Sequence, residues 1–283
     1  MPKGILRVAT CQFAVGPSIR RNAAQIRRQI AQAVRHRADV VHFSEAALSG
    51  YAGVEFGSWD GFDWDTLADQ TRAICQLAAR HRVWVILGST HRLTGRHRPH
   101  NCLYAIDPRG RIVDRYDKRF CTRGDLRHYS PGDHCAMVTI HGVRCGLLIC
   151  YDLRFPELFR EYRRRGAQCL FHSFHNARAP GGPTIHTTIM RPSLQCRAAS
   201  NYVWISATNS SCRYQSWPSV FIRPDGVIAD HLTQHRAGVM VNTVDTTHPL
   251  YDASAPYRAR SMRGVLSSGR PVRDPRSRDR QRL

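Results

Sequence analysis

The sequence predicts an α/β domain in which sheets are covered by helices, and three observations predict it. Short apolar runs bounded by turn residues alternate with segments of helical periodicity as far as Val244. Neither an internal repeat nor a linker interrupts that alternation, so one domain accounts for it. A hydrophobic fraction of 42% over 283 residues is enough for a sizeable core.

Taken in order, Ile5 to Phe13 reads as the first strand, Arg20 to Arg37 as an amphipathic helix and Val40 to Ser44 as a short buried strand. Thr66 to His81 repeats the helical period ahead of a second buried strand, Val83 to Ser89. Cys102 to Asp107 and Arg111 to Tyr116 flank the turn Pro108-Arg-Gly110 as a hairpin. Strands Met137 to Ile140 and Val143 to Ile149 follow. Pro156-Glu157 then opens a helix running to Arg165, Cys169 to Ser173 is a strand, and Arg191 to Ser200 is a helix. Val203 to Thr208, Ser219 to Ile222, Val227 to Ala229 and Val239 to Val244 complete the strands, with Pro224-Asp-Gly226 as a hairpin turn. The domain is expected to span residues 1–255. An arginine-rich tail, 256–283, follows it, and from Arg270 onward this tail has too little apolar content to order itself.

Composition excludes several classes. No apolar run approaches the roughly 20 residues of a membrane span, and the N-terminus is already strand-like, so a cytoplasmic enzyme with no membrane partner is the expectation. The ten cysteines form no CxxC pair and lie mostly inside apolar runs, as Cys11, Cys75, Cys102, Cys135, Cys145, Cys169 and Cys196 do. That pattern suits small core residues, not a disulfide framework or a zinc ribbon. The formal charge of +21 is scattered over helices, loops and tail without a nucleic-acid-binding motif, so solvated faces are expected in place of a nucleic-acid partner.

Three strand ends finish in reactive side chains: Glu45 after Val40 to Ser44, Lys118 after Arg115-Tyr-Asp117, and Cys150 after Leu147-Leu-Ile149. Ligands of α/β sheets bind beyond the carboxyl ends of strands, where a side chain is held rigidly at the site mouth. Lys118 stands out further, because of the 42 lysines and arginines only it and Lys3 are lysine. A compact ammonium and a planar guanidinium are not interchangeable. A thiol beside an ammonium and a carboxylate has what an activated nucleophile needs.

Phe43-Ser-Glu45-Ala-Ala-Leu-Ser-Gly-Tyr51, Tyr116-Asp-Lys118-Arg-Phe and Leu148-Ile-Cys150-Tyr-Asp-Leu-Arg-Phe-Pro-Glu157 closely resemble, in order and spacing, the three signature blocks of the nitrilase superfamily, the carbon-nitrogen hydrolases. Ala9-Thr-Cys-Gln12, Ser130-Pro-Gly132, Arg197-Ala-Ala-Ser-Asn201 and Pro224-Asp-Gly226 extend the resemblance over roughly residues 5 to 260. It implies a four-layer α-β-β-α sandwich assembled as a homodimer or higher homo-oligomer, a small-molecule amide substrate, and no metal or organic cofactor. The resemblance also implies a Glu-Lys-Cys triad: Glu45 as general base, Cys150 as nucleophile, and Lys118 with the backbone N–H of Tyr151 as the oxyanion donors. The block after Cys150 looks like the amidase branches more than the nitrilase branch.

The resemblance departs at one place. Family members carry a second glutamate shortly before the Pro-Gly step to orient the lysine, and Arg123-Gly-Asp-Leu-Arg-His-Tyr129 has none. By spacing Arg127 stands there, with Asp125 as the nearby substitute. Arg154 lies where members acting on carboxylate-bearing amides and carbamoyl amino acids place an acid-gripping arginine; pairing with Glu157 or a backbone carbonyl is the structural alternative. His172 and His175 are expected to line the pocket, and the loops Gly53 to Asp65 and Arg178 to Thr188 to set specificity. Two competing readings are a Cys-His thiol enzyme using His134, His141 or His172, and a catalytically impaired homologue that binds an anionic partner. Both leave the conjunction of Glu45, Lys118 and Cys150 without a use.

Overall fold

The structure, a computed structural model, describes residues 3–176 and 184–281. The first half of the chain runs β1 (Ile5–Gln12), α1 (Ile19–Arg35), β2 (Val40–His42), α2 (Trp64–His81), β3 (Trp84–His91), β4 (His100–Ile106) and β5 (Ile112–Asp117). The second half repeats the arrangement with β6 (Met137–Ile140), β7 (Val143–Ile149), α3 (Pro156–Arg164), β8 (Cys169–Ser173), α4 (Ile185–Asn201), β9 (Trp204–Thr208), β10 (Val220–Ile222) and β11 (Ile228–His231). Strand β12 (Gly238–Asp245) then returns to pair antiparallel with β1.

Two six-stranded sheets result, ordered β12-β1-β2-β3-β4-β5 and β11-β10-β9-β8-β7-β6. Each has three parallel strands at its centre, β1, β2 and β3 in one and β7, β8 and β9 in the other. Strand alternation distributes the apolar residues. Leu6, Val8 and Val40 face the second sheet, while Ala9, Cys11 and Val41 face Ile26 and Ile30 of α1 and Ile74 and Ala78 of α2. Leu158, Phe159 and Tyr162 of α3 and Leu194 of α4 cover the far side of the second sheet. The layers are therefore α-β-β-α, as the resemblance implied.

Local chemistry sets the helix limits. Ser18 and Asp63 cap α1 and α2 by accepting the N–H groups of Arg21 and Thr66 at 3.4 and 2.8 Å. Pro156 opens α3, where its missing N–H leaves nothing unpaired. The helix expected from Arg191 starts instead at Ile185 and passes through Pro192. Proline removes one backbone bond there, and the burial of Met190, Leu194 and Ala198 along one face outweighs that loss. Two cysteines depart from the core reading: Cys75 is half-buried and Cys196 is exposed on α4.

Past β12 the chain stays attached through Arg258 on α5 (Arg258–Met262). Its buried guanidinium pairs with Asp252 and lies 5.2 Å over the Tyr202 ring. A last short helix, α6 (Pro275–Arg278), follows, and residues 263–281 are exposed throughout. No helix among the described residues is long and apolar enough to cross a membrane.

The two sheets are joined by more than apolar contact. Thr10 Oγ1 and His42 Nδ1 lie 2.7 and 2.9 Å from Ser206 Oγ, and His42 Nε2 lies 2.9 Å from Ser173 Oγ. Ser173 in turn donates to the Phe43 carbonyl at 2.8 Å. Only one direction of donation satisfies every member: Thr10 to Ser206, Ser206 to Nδ1, then Nε2–H to Ser173 and onward to Phe43. That chain requires a neutral imidazole. Burial, reinforced by His172, pushes the His42 pKa well below its ordinary value and supplies one. His42→Ala is expected to lower unfolding free energy by about 3 kcal/mol, measured by urea denaturation, because it leaves a cavity and strands two serine hydroxyls.

Candidate active site

Glu45 lies just past β2 in a turn pressed against β3. The Phe43 N–H donates to the Ile86 carbonyl at 3.0 Å and the Leu48 N–H to Gly88 at 2.9 Å. A Cβ on Gly88 would sit 1.9 Å from the Ser44 carbonyl oxygen, so β3 admits only glycine at that point. The carboxylate is wholly buried. Oε1 accepts from Asn101 Nδ2 and Lys118 Nζ, both at 2.8 Å, and Oε2 accepts the His175 backbone N–H at 2.8 Å.

Lys118 extends the β4–β5 ladder, its N–H donating to the Asn101 carbonyl at 2.8 Å. The ammonium is equally buried and lies 2.8 Å from both Glu45 Oε1 and Asp125 Oδ2, with the Tyr51 hydroxyl at 3.4 Å. Burial alone would lower its pKa, but Glu45 and its anionic neighbours hold it well above the ordinary lysine range.

Cys150 directly follows β7 and opens a 3-10 turn, Cys150–Arg154, with a backbone φ of +42° that side chains rarely adopt. Asp152 fixes that turn. Its Oδ2 accepts the Ile149 N–H at 2.9 Å and the Tyr116 hydroxyl at 2.7 Å, and its Oδ1 accepts the Phe120 N–H at 3.0 Å. The cysteine turn is thereby bolted to β5 on one side of Lys118 and to the following loop on the other. Burial and the Glu45 charge push the Cys150 pKa well above the usual thiol value, with Lys118 opposing them, so the resting side chain is a thiol.

Lys118, Cys150, Tyr151, Arg154, Arg127 and His175 line one cavity of about 350 Å³. Of the two residues left open by the sequence, Asp125 is the one that contacts Lys118. It does so from the 3-10 turn Asp125–Arg127, anchored by the Thr122 N–H at 2.9 Å, while Arg127 is exposed at the cavity rim. His172 does not line the cavity, which corrects the expectation. It is buried behind Cys150, its ring centroid 4.1 Å from that of Phe174, and burial pushes its pKa down to about 3 against the opposing contact with the Cys150 backbone. Arg154 contacts the His186 ring at 3.3 Å, and no ion pair joins it to Glu157 among the described residues.

Four contributors escaped the sequence reading as site residues: Asn101, Tyr51, Glu55 and His186. Tyr51 closes the first signature block, and Glu55 and His186 lie in the two loops expected to set specificity, whereas Asn101 enters only through long-range pairing. Of the two loops, Gly53 and Val54 line the cavity, and Trp59 ties that loop down by donating to the His128 carbonyl at 2.8 Å. Residues 178–183 of the second loop lie outside the described residues. Glu55, His175 and Cys212 place metal-ligating atom types within 4.8 Å of one another. The His175 Nε2–H already donates to Glu55 at 2.8 Å, which occupies that nitrogen.

The fold is that of a carbon-nitrogen hydrolase, and the comparisons agree. The sequence matches the carbon-nitrogen hydrolase family model over residues 7–248, and the chain belongs to that family. It is 29% identical over 245 residues to a hydrolase in the agr operon of Staphylococcus lugdunensis, covering 77% of this chain and 96% of that protein. It is 28% identical over 179 residues to the 2-oxoglutaramate amidase of Bacillus subtilis, covering 61% of this chain and 63% of that protein. An amidase of the nitrilase superfamily from Nesterenkonia AN1 superposes with a TM-score of 0.77 at 20% identity, over 94% of this chain and 99% of that one.

Lys118→Arg keeps the charge but brings a wider group into a space bounded by two carboxylates at 2.8 Å. Turnover is expected to fall by at least about a hundredfold while circular dichroism stays native. Near-normal rates would remove the ammonium from the reaction.

Proposed function

We propose that the protein is an amidase. It would hydrolyse the non-peptide C–N bond of a small linear amide that carries an acid group, an ω-amide or a carbamoyl amino acid. One observation carries the reading: a buried Glu45–Lys118 ion pair, 2.8 Å long, sits at the cavity that Cys150 lines.

Glu45 takes the Cys150 proton as sulfur attacks the amide carbon, so a C–S bond forms as the carbonyl π pair moves onto oxygen. Lys118 and the Tyr151 backbone N–H meet that oxyanion. Collapse expels the amine or ammonia, which receives the proton from Glu45 and leaves a thioester on Cys150. Water, deprotonated by the same carboxylate, attacks the thioester and releases the carboxylic acid and the thiol. An amide supplies the protonatable leaving nitrogen this cycle uses, which favours amides over nitriles.

Substrate choice rests on charge. Arg154 and Arg127 line the cavity, neither is in an ion pair among the described residues, and the lining carboxylate Asp125 is already matched by Lys118. A guanidinium without a carboxylate partner at a site mouth fits a substrate carboxylate. Assembly as a homodimer and a cytoplasmic location belong to the same proposal.

Ammonia release across ω-amides, carbamoyl amino acids and nitriles, compared with Cys150→Ala, tests the reading. Turnover of acid-bearing amides that vanishes in Cys150→Ala is expected, and an equally active variant would refute the mechanism. Arg154→Gln should raise KM for such an amide by about tenfold or more through loss of a charged hydrogen bond, with kcat little changed.

A further inference from the structure

Glu55 is a buried carboxylate outside the Glu-Lys-Cys trio, and both its oxygens are committed. Its side chain is 8% exposed, and that of its partner His175 is 1% exposed. Oε1 accepts from His175 Nε2 at 2.8 Å and Oε2 accepts the Tyr51 backbone N–H at 2.9 Å. Each partner leads to a different member of the trio. The backbone N–H of His175 holds Glu45 Oε2 at 2.8 Å. Tyr51 places its hydroxyl against Asp125 and 3.4 Å from Lys118 Nζ. The Tyr51 and His175 rings close the circuit by stacking, with centroids 5.2 Å apart and planes at 24°.

The imidazole is positioned as a cation. Burial opposes its charge, but hydrogen bonds to Cys212 and Glu55 and the nearby carboxylates push its pKa up to about 10. In that form Nδ1 is also a donor, and it faces the Gln215 side-chain amide at 3.4 Å. Turning that amide end for end offers it Gln215 Oε1, a buried oxygen otherwise without a partner. Glu55 and His175 are thus a desolvated ion pair. Such a pair tolerates loss of one member badly, because the other is left buried and uncompensated.

We propose that Glu55 is a positioning residue, which sets the base Glu45 through His175 and the ammonium Lys118 through Tyr51, holding both in register with Cys150. The proposal deepens the amidase reading and rests on it only where turnover is the readout. Glu55 itself does not touch the trio and is not one of the residues lining the cavity, so its removal should alter the rate of reaction more than substrate binding.

The full chain with Glu55→Gln or Glu55→Asp is compared with the unsubstituted protein in two assays. The first is amide turnover with kcat and KM separated. The second is the rate at which iodoacetamide alkylates Cys150, read by mass mapping of the peptide that contains it. Glu55→Gln is expected to lower kcat and the alkylation rate by about tenfold to a hundredfold with KM within about twofold, and Glu55→Asp to recover part of both. Unchanged kcat and alkylation in a folded Glu55→Gln protein, or a loss confined to KM, would overturn the proposal. Should that variant fail to fold, His175→Gln replaces it, with at least a tenfold loss of alkylation rate as the expected result and an unchanged rate as the refutation. If no amide turns over even in the unsubstituted protein, the amidase reading fails while the alkylation comparison still decides the role of Glu55.

Discussion

The interior of this protein is organised around one ammonium held between two carboxylates. Lys118 lies 2.8 Å from Glu45 and from Asp125, and all three are buried. Taking charges out of water is costly, and their attraction offsets that cost only when geometry is good and the remaining lone pairs are satisfied. Here they are: Asn101 and the His175 N–H complete Glu45, and the Thr122 N–H and Tyr51 complete Asp125. Each of those donors comes from a different strand end or loop. The charge cluster therefore obliges β2, β4, β5, β8 and two loops to converge at one point.

The convergence crosses the sandwich. Glu45 and Lys118 belong to one sheet and Cys150 to the other, so the base-to-nucleophile distance is set by how the sheets register. Apolar packing alone is permissive about small slides between sheets. A directed hydrogen-bond chain is not, and the one from Thr10 through Ser206, His42 and Ser173 to Phe43 lies immediately behind the site. Phe43 precedes Glu45 by two residues and Ser173 precedes His175 by two. The same backbone segments carry the pin and the chemistry.

Much of this was legible in the sequence, for identifiable reasons. Strand ends and helix faces follow from local periodicity, so β6, β7 and β8 fall where the apolar runs end, and of the residues the motif blocks single out, Glu45 pairs with Lys118 while Lys118 and Cys150 line one cavity. The misreadings came where distance along the chain is a poor guide to distance in space. Counting toward Pro131 left Arg127 and Asp125 both open, and the 3-10 turn decides between them by presenting Asp125 to the lysine and leaving Arg127 at the rim. His172 and His175 flank one strand end, yet strand alternation turns the first into the core. The helix expected from Arg191 begins at Ile185, because burial of one face carries α4 through Pro192. Asn101 has no local signature at all, since its role comes through a partner 56 residues away, and Glu55 joins a local partner, Tyr51, to His175, 120 residues away.

The electrostatics also constrain how the proposed reaction could begin. A thiol enzyme that relies on a resting thiolate needs a site that favours the anion, and this one does the reverse: burial and Glu45 both keep Cys150 protonated. A thiolate beside an ionised Glu45 would place two desolvated anions together, with Lys118 already shared between Glu45 and Asp125. One proton held by either Cys150 or Glu45 avoids that state. On the proposed mechanism its transfer leaves the net charge of the group unchanged, and sulfur becomes anionic only as it bonds to carbon. The negative charge then appears on the substrate oxygen, where Lys118 is the cation already in place. On this mechanism the site develops its nucleophile only when an acceptor carbon is within reach of the sulfur.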